Sequence, residues 1–434
     1  MNYRSTRGAG PVGLDEALLR GLAPDGGLFV PAALPRFDET AFAGLDNIVD
    51  IGVRFLTPFA AGSRLEPALD AICRDAFSFP IPLRDLPPAQ AQLGVLELFH
   101  GPTAAFKDVG ARFLAACMQR LDRDRDDPRP LTILVATSGD TGGAVAAAFH
   151  GRPGFRVVVL YPDGHVSPRQ AHQLGCWGGN VLTLAVDGPF DACQQLVKQA
   201  FAHARISQEH RLCSANSINI GRLLPQAVYY AAASLWHLRR HARPASFIIP
   251  TGNLGNALAC VLARECGLPI AEIVLATNAN RTIVDYLGSG EYAARPSVQT
   301  LASAMDVGDP SNMERLRHLF PAFATLSDKV SGFSVTDEEI REQIRLDATR
   351  RGETWCPHTA TAARVHDRLP AAQAAQPWVL VATAHPAKFH EIVEPLVGGP
   401  VPVPPALAEL LERPAKAERI PADLDALAAQ LAAH

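Results

Sequence analysis

The chain has no CxxC pair, no apolar run long enough to cross a bilayer and almost no surplus of charge. Its eight cysteines, at 73, 117, 176, 193, 213, 260, 266 and 356, show no regular spacing, which argues against zinc and against a disulfide framework. Cys356-Pro357-His358 offers two candidate ligands around a proline, too few for a metal site. A net charge of −4, from 40 Lys+Arg and 44 Asp+Glu, with a pI near 6.4, gives no reason to expect nucleic acid or an anionic membrane as partner. The longest apolar runs, such as Leu131 to Ala136 and Phe155 to Leu160, fall far short of a membrane span. The segment Met1 to Gly8 has no hydrophobic signal region, so the expected compartment is the cytoplasm. Neither a GxxxxGK[ST] phosphate loop nor GxGxxG spacing occurs at the glycine-rich turns, which leaves ATP and dinucleotide readings weak.

What is present is a long chain with ample core material: 434 residues, 48% of them apolar, enough for two or three domains. Up to about Pro88, helical periodicity at Leu14 to Leu22 and Ile48 to Phe59 alternates with proline-rich breaks, and residues 1–88 read as a separate N-terminal domain. Within it, Arg4 and the segment Pro24 to Val30 either reach the site or form a plain turn. From Gln90 onwards, short β-branched runs alternate with helical stretches: Leu131 to Ala136, Arg156 to Leu160, Val181 to Val186, Phe247 to Pro250, Glu272 to Thr277 and Trp378 to Thr383. That alternation predicts an α/β domain with parallel sheet covered on both faces, and ligands beyond the carboxyl ends of its strands. The core spans 89–390, with a smaller subdomain at roughly 108–215; residues 391–434 form a proline-broken C-terminal extension ending in one amphipathic helix. Arg281 to Arg295 and Met313 to Phe333 read as helices and connections of an insertion over the site.

Lys107 is the one charged residue on the apolar side of a helix expected from about Thr103 to Leu121. At 3.6 residues per turn it aligns with Gly110, Ala111, Leu114, Met118 and Leu121. An inward ammonium in apolar surroundings is driven towards its neutral, nucleophilic form, unless it snorkels out from the first turn. Two loops repeat the pattern [ST]-G-[DN]-x-G-x-A before small-residue helices: Ser138-Gly139-Asp140-Thr141-Gly142-Gly143-Ala144 and Thr251-Gly252-Asn253-Leu254-Gly255-Asn256-Ala257. Glycines let an anion approach the backbone, and the free N–H groups of a helix start attract negative charge. A buried amine with two anion cradles suits an aldehyde cofactor bearing a phosphate and a substrate bearing a carboxylate, the requirement of pyridoxal 5′-phosphate.

The segments Glu97 to Asp108, Ala136 to Gly142, Asn216 to Asn219, Thr251 to Asn256, Ala304 to Val307 and Thr383 to Phe389 together resemble the threonine synthase family, as do Tyr3 to Gly8 and Gly21 to Leu28. The resemblance covers nearly the whole chain. It implies a fold type II pyridoxal phosphate enzyme, with two parallel-sheet α/β subdomains like the tryptophan synthase β chain and an extra N-terminal domain. The implied reaction converts O-phospho-L-homoserine and water to L-threonine and phosphate, the last step of threonine biosynthesis. Lys107 would hold the cofactor and move protons. Gly252, Asn253, Leu254, Gly255 and Asn256 resemble the cradle for its phosphate, the backbone mattering more than the two asparagine side chains. Thr383 resembles the hydroxyl partner of the pyridine nitrogen. Ser138, Gly139 and Thr141 resemble the grip on the substrate carboxylate. Asp140 stands where many relatives have asparagine, so its contact with the ring oxygen depends on its charge. Asn216, Ser217, Asn219 and Arg222 suit the substrate phosphate, although a surface salt bridge explains Arg222 equally well, and Lys388 reads as a solvated lysine that could attract phosphate. Alternatives are a phospholyase on the same scaffold, a serine or threonine dehydratase, and a non-catalytic cofactor-binding regulator; a monomer and a homodimer fit equally.

Overall fold

Strands whose residues are apolar without alternation must be covered on both faces, and that is where the β-branched runs sit. A computed structural model describes residues 1–38, 40–87, 93–123 and 127–434. The expected boundary at 88–89 and the start of the core at Gln90 lie outside the described residues. Six strands form one sheet in the order Val330–Ser334, Ile270–Thr277, Ala245–Pro250, Trp378–Ala382, Leu93–Glu97, Leu83–Asp85. All of its pairs are parallel except the last. Five strands form a second, wholly parallel sheet: Glu418–Pro421, Val181–Asp187, Phe155–Pro162, Leu131–Ala136, Leu212–Cys213. Every residue of Leu131–Ala136, Ala245–Pro250 and Trp378–Ala382 is buried.

The helix Ile220–His241 passes through the centre, and its first fifteen residues are all buried. Helix Lys107–Asp122 packs on it and also on Leu69–Ala76 and Asp140–Phe149. The N-terminal segment adds a two-stranded antiparallel ribbon, Tyr3–Ser5 with Phe29–Pro31, and the helices Leu14–Arg20, Ile48–Ala60 and Leu69–Ala76. Tyr3, fully buried, ties ribbon to helix by donating from Oη to the Phe59 carbonyl at 2.9 Å. Gly52 lets Ile48–Ala60 lie close on Ile220–His241: a Cβ there would stand 3.1 Å from Val228 Cγ1.

Three expectations are corrected. The lysine helix starts at Lys107, not near Thr103. The Asp108 carboxylate accepts from the Thr103 amide at 2.8 Å and from Thr103 Oγ1 at 2.7 Å, and Ala104 takes a left-handed φ of 53°, so the chain before Lys107 is curled into a turn. The tail carries more than one amphipathic helix: Pro405–Glu412 and Leu424–Ala433 flank Glu418–Pro421, which joins the smaller sheet. With Ile420 its one buried residue, that strand leaves no periodic trace. The stretch 313–333, read as helices and connections, includes the start of the polar edge strand Val330–Ser334.

Leu427 and Leu431 of the last helix are fully buried against a cluster that includes Leu196, Ile206 and Ile420. Leu427→Ala is therefore expected to lower stability by about 2–4 kcal/mol, the usual cost of emptying a buried leucine site. A urea unfolding midpoint equal to that of the unmodified chain would show that the tail is not docked.

Candidate active site

The loops that leave the carboxyl ends of both sheets converge on one cavity of about 400 Å³. Its wall takes Ala136 to Ser138 and Asp140 to Thr141 from the end of Leu131–Ala136, Pro250 to Asn256 from the end of Ala245–Pro250, and Thr383 from the end of Trp378–Ala382. Lys107, Asn216, Ser217, Arg222 and His358 complete much of the rest.

Lys107 is placed by backbone. The Phe106 amide donates to the Thr383 carbonyl at 2.8 Å and the His385 amide to the Ala104 carbonyl at 3.0 Å, so the turn before the lysine is zipped to the strand end that carries Thr383. Lys107 is half-buried at the cavity wall. Desolvation lowers its ammonium to about 8; Asp140 pulls it up, while Arg222 and Lys388 press it further down. A lysine so placed carries a useful fraction of neutral amine near neutral pH.

Asp140 opens the helix Asp140–Phe149 and is buried. Burial alone would raise its carboxyl, yet Lys388 and then Lys107 outweigh that and hold it below the usual carboxylate range. Its Oδ1 lies 2.8 Å from Lys388 Nζ and accepts from Gln170 Nε2 at 3.0 Å. Lys388 is not solvated, as its sequence context suggested, but 1% exposed, and it also donates to the Thr103 carbonyl at 2.7 Å. The carboxylate at the asparagine position is thus neutralised by a buried ammonium. Ser138 and Thr141 line the cavity beside it, whereas Gly139 turns the chain at φ 134°, where a Cβ would meet Gln170 Nε2 at 2.7 Å.

In the second cradle the asparagine side chains serve the loop itself. Asn256 accepts from Thr251 Oγ1 at 2.7 Å and donates to the Pro250 carbonyl at 2.9 Å. Asn253 donates to Ser217 Oγ at 2.6 Å and accepts from the Ser311 amide at 2.6 Å. Leu254 is held at φ 66°, a left-handed conformation costing a non-glycine residue about 1–3 kcal/mol, and Gly252 approaches the Met305 backbone so closely that a Cβ would sit 2.6 Å from Met305 Cα. With side chains spent on shape, the unpaired amides at the start of Gly255–Glu265 remain for an anion.

Arg222 is 3% exposed and makes no ion pair among the described residues, which removes the surface salt bridge from consideration. Its Nη1 donates to the Ala215 carbonyl at 2.6 Å, but its Nε is buried with no partner, as is Asn216 Oδ1. Gly110, one turn after Lys107, makes room for it: a Cβ there would be 3.0 Å from Arg222 Nε. Asn219 is not at the cavity. It caps Ile220–His241 by accepting from the Gly221 amide at 2.9 Å, and it donates to the Leu18 carbonyl at 2.8 Å. Arg4 lies elsewhere, on a separate cavity of about 190 Å³ with Val30 and Leu34, and residues 24–28 form a turn built on Asp25, which accepts from Ser5 Oγ and the Gly27 and Ala9 amides, leading into the strand Phe29–Pro31. His358 was missed: it reads as half of a poor metal pair, yet it is a buried cavity residue lowered by desolvation to about 4, with Nε2 accepting from the Ala304 amide at 3.1 Å.

An amine poised near neutrality, a neutral hydroxyl at a strand end and an anion cradle between them define a pyridoxal phosphate enzyme of fold type II. The family model for pyridoxal-phosphate dependent enzymes matches residues 76–384, that for the threonine synthase N terminus residues 2–77, and that for the threonine synthase C-terminal part residues 359–430. Threonine synthase of Escherichia coli (strain K12) is 40% identical over 421 residues, 96% of this chain and 95% of that one, and the enzyme of Pseudomonas aeruginosa is 35% identical over 100% and 98%. The crystal structure of the Escherichia coli threonine synthase superposes with a TM-score of 0.90 at 37% identity over 100% of both chains. That of the pyridoxal phosphate-bound threonine synthase from Brucella melitensis does so with 0.90 at 34% over 99% and 98%. Maize serine racemase, at 18% identity and a TM-score of 0.52 over 73% of this chain, shares the fold alone. The chain belongs to the threonine synthase family.

The charge cluster makes opposite predictions for its two ends. Incorporation of pyridoxal phosphate by the apoprotein, trapped with borohydride, is expected to quicken as pH rises through about 8, because the neutral amine reacts. Lys388→Met removes a repelling cation and moves that midpoint up; Asp140→Asn removes the supporting carboxylate, moves it down and destabilises the fold by leaving Lys388 buried and unpaired. Shifts of the same sign in both variants would refute this electrostatic assignment.

Proposed function

We propose that this chain is the threonine synthase that its family membership implies, turning O-phospho-L-homoserine and water into L-threonine and phosphate. The observation that carries the reading is a pair of orphaned buried polar atoms, Arg222 Nε and Asn216 Oδ1, on two residues that line the cavity together with Lys107. Buried donors and acceptors are nearly always satisfied, so the unpaired Arg222 N–H calls for an acceptor such as a phosphate oxygen, and Asn216 Oδ1 for a donor such as a substrate ammonium, hydroxyl or water.

The residues fit pyridoxal phosphate in kind. Lys107 would hold the aldehyde, the amides of 252–256 the phosphate, and the Thr383 hydroxyl the pyridine nitrogen. When bound, the cofactor supplies an electron sink for charge developing next to the substrate amine. The remaining work belongs to the protein. Ser138 and Thr141 orient the substrate carboxylate at the start of Asp140–Phe149, where the helix dipole favours negative charge. Arg222, with Asn216 and Ser217, holds the substrate phosphate from ground state to departure. Lys107, freed as an amine, moves protons at Cα and Cβ of the substrate, and its depressed basicity keeps it able both to accept and to donate them. Asp140, neutralised by Lys388, offers a fixed polar wall without a net negative charge facing the cofactor. Gly139 and Asn219 act on loop geometry and helix capping. A cytoplasmic location and a division into units at 1–88, 89–390 and 391–434 belong to the same reading.

Product analysis tests it. Incubation with pyridoxal phosphate and O-phospho-L-homoserine is expected to release phosphate and threonine in equal amounts, whereas phosphate with 2-oxobutanoate would make the chain a phospholyase. Lys107→Ala is expected to abolish turnover and the borohydride-reducible cofactor link while the protein stays folded; retained turnover would sink the assignment of the lysine.

A further inference from the structure

Arg315 is 1% exposed and has no carboxylate partner among the described residues. It lies on the short helix Met313–Leu319 and binds oxygens from three separated parts of the chain. Nε donates to the Phe29 carbonyl at 3.1 Å, Nη2 to the Ile218 carbonyl at 2.5 Å, and Nη1 to the Ser217 carbonyl at 3.3 Å and Asn312 Oδ1 at 2.8 Å. Phe29 belongs to the N-terminal ribbon; Ser217 and Ile218 line the cavity. Asn312, fully buried, passes the connection on by donating from Nδ2 to the Asn253 carbonyl at 3.0 Å. Asn253 closes the ring through its 2.6 Å bond to Ser217 Oγ.

Burying a guanidinium without a directly paired anion is unfavourable, since its desolvation is repaid by these neutral acceptors and, at longer range, by the neighbouring Glu314 carboxylate. What it provides is geometry: a rigid planar fork spans acceptors that a lysine ammonium, a single point of charge, cannot reach together. The helix is itself pinned from the N-terminal segment, where Arg7 binds Glu314 through Nε at 3.0 Å and Nη2 at 2.9 Å and Thr6 donates to the same carboxylate. We infer that Arg315 is a positioning residue that holds the glycine cradle at 252–256 and the loop at 216–218 in mutual register and fastens both to the N-terminal segment, so that the cradle amides meet the cofactor phosphate already aligned.

This inference rests on the reading of 252–256 as the phosphate cradle, and the test separates the two. Binding of pyridoxal phosphate and of pyridoxal, which lacks the phosphate, is measured on the apoprotein by absorbance titration for the unmodified chain, Arg315→Lys and the near-isosteric, uncharged Asn312→Leu, which loses both the acceptor for Arg315 and the donor to Asn253. The unmodified chain is expected to prefer pyridoxal phosphate strongly. Each variant is expected to weaken pyridoxal phosphate by about tenfold or more, the scale of a lost buried hydrogen bond, with pyridoxal binding unchanged because Lys107 and Thr383 stand outside the ring. Should Arg315→Lys fail to fold, Asn312→Leu decides alone. An undiminished preference, or equal weakening of both ligands, overturns the role of Arg315; no preference in the unmodified chain overturns the cradle itself.

Discussion

The buried carboxylate of Asp140, set against Lys388, Lys107 and Arg222, governs the site. Asp140 holds Lys388 in direct contact and acts on Lys107 across the cavity wall, while Arg222 adds a third positive charge that makes no direct ion pair among the described residues and is supported at longer range by Asp108. In a medium of low dielectric an anion drawn into the cavity would stabilise this group of charges. Burial, with Arg222 and Lys388 adding to it, keeps Lys107 from being a permanent ammonium.

The arrangement depends on close backbone approaches. Gly110 admits Arg222 against the lysine helix, Gly252 admits the Met305 segment, and Gly139 admits Gln170, whose amide then steadies Asp140. Gly139 and Gly252 belong to motifs that read as anion loops and Gly110 to the lysine helix, yet the immediate neighbour of each is protein. Anion-binding loops need both properties, since free amides are useful only when the loop cannot collapse onto them. Leu254, held in a left-handed conformation, and the inward-bonded Asn253 and Asn256 serve the same end.

Much of this was legible beforehand. The central strands were plain because strands covered on both faces are continuous β-branched runs, and Lys107 stood out as a charge on an apolar stripe. The edge strands Val330–Ser334 and Glu418–Pro421 were not legible, because an edge strand is half solvated and carries little apolar signal. Lys388, His358 and Arg315 were also hidden. Taken singly, each is an ordinary lysine, histidine or arginine on a short helical segment, and what marks them is a partner distant in sequence: Asp140 for Lys388, Ala304 for His358, Phe29 and Ser217 for Arg315. Asn219 erred the other way, its polar neighbourhood suggesting a ligand where the fold uses a helix cap.

The sequence by itself determined the alternation of strand and helix, the lysine and the two glycine loops, since these rest on local periodicity and on backbone freedom that only certain residues allow. The tertiary structure alone decided which charges are buried, which side chains are spent on holding loops, and which stand unpaired in the cavity. Burial and pairing depend on what the rest of the chain brings to within a few ångströms, and no stretch of sequence carries that information in its own neighbours.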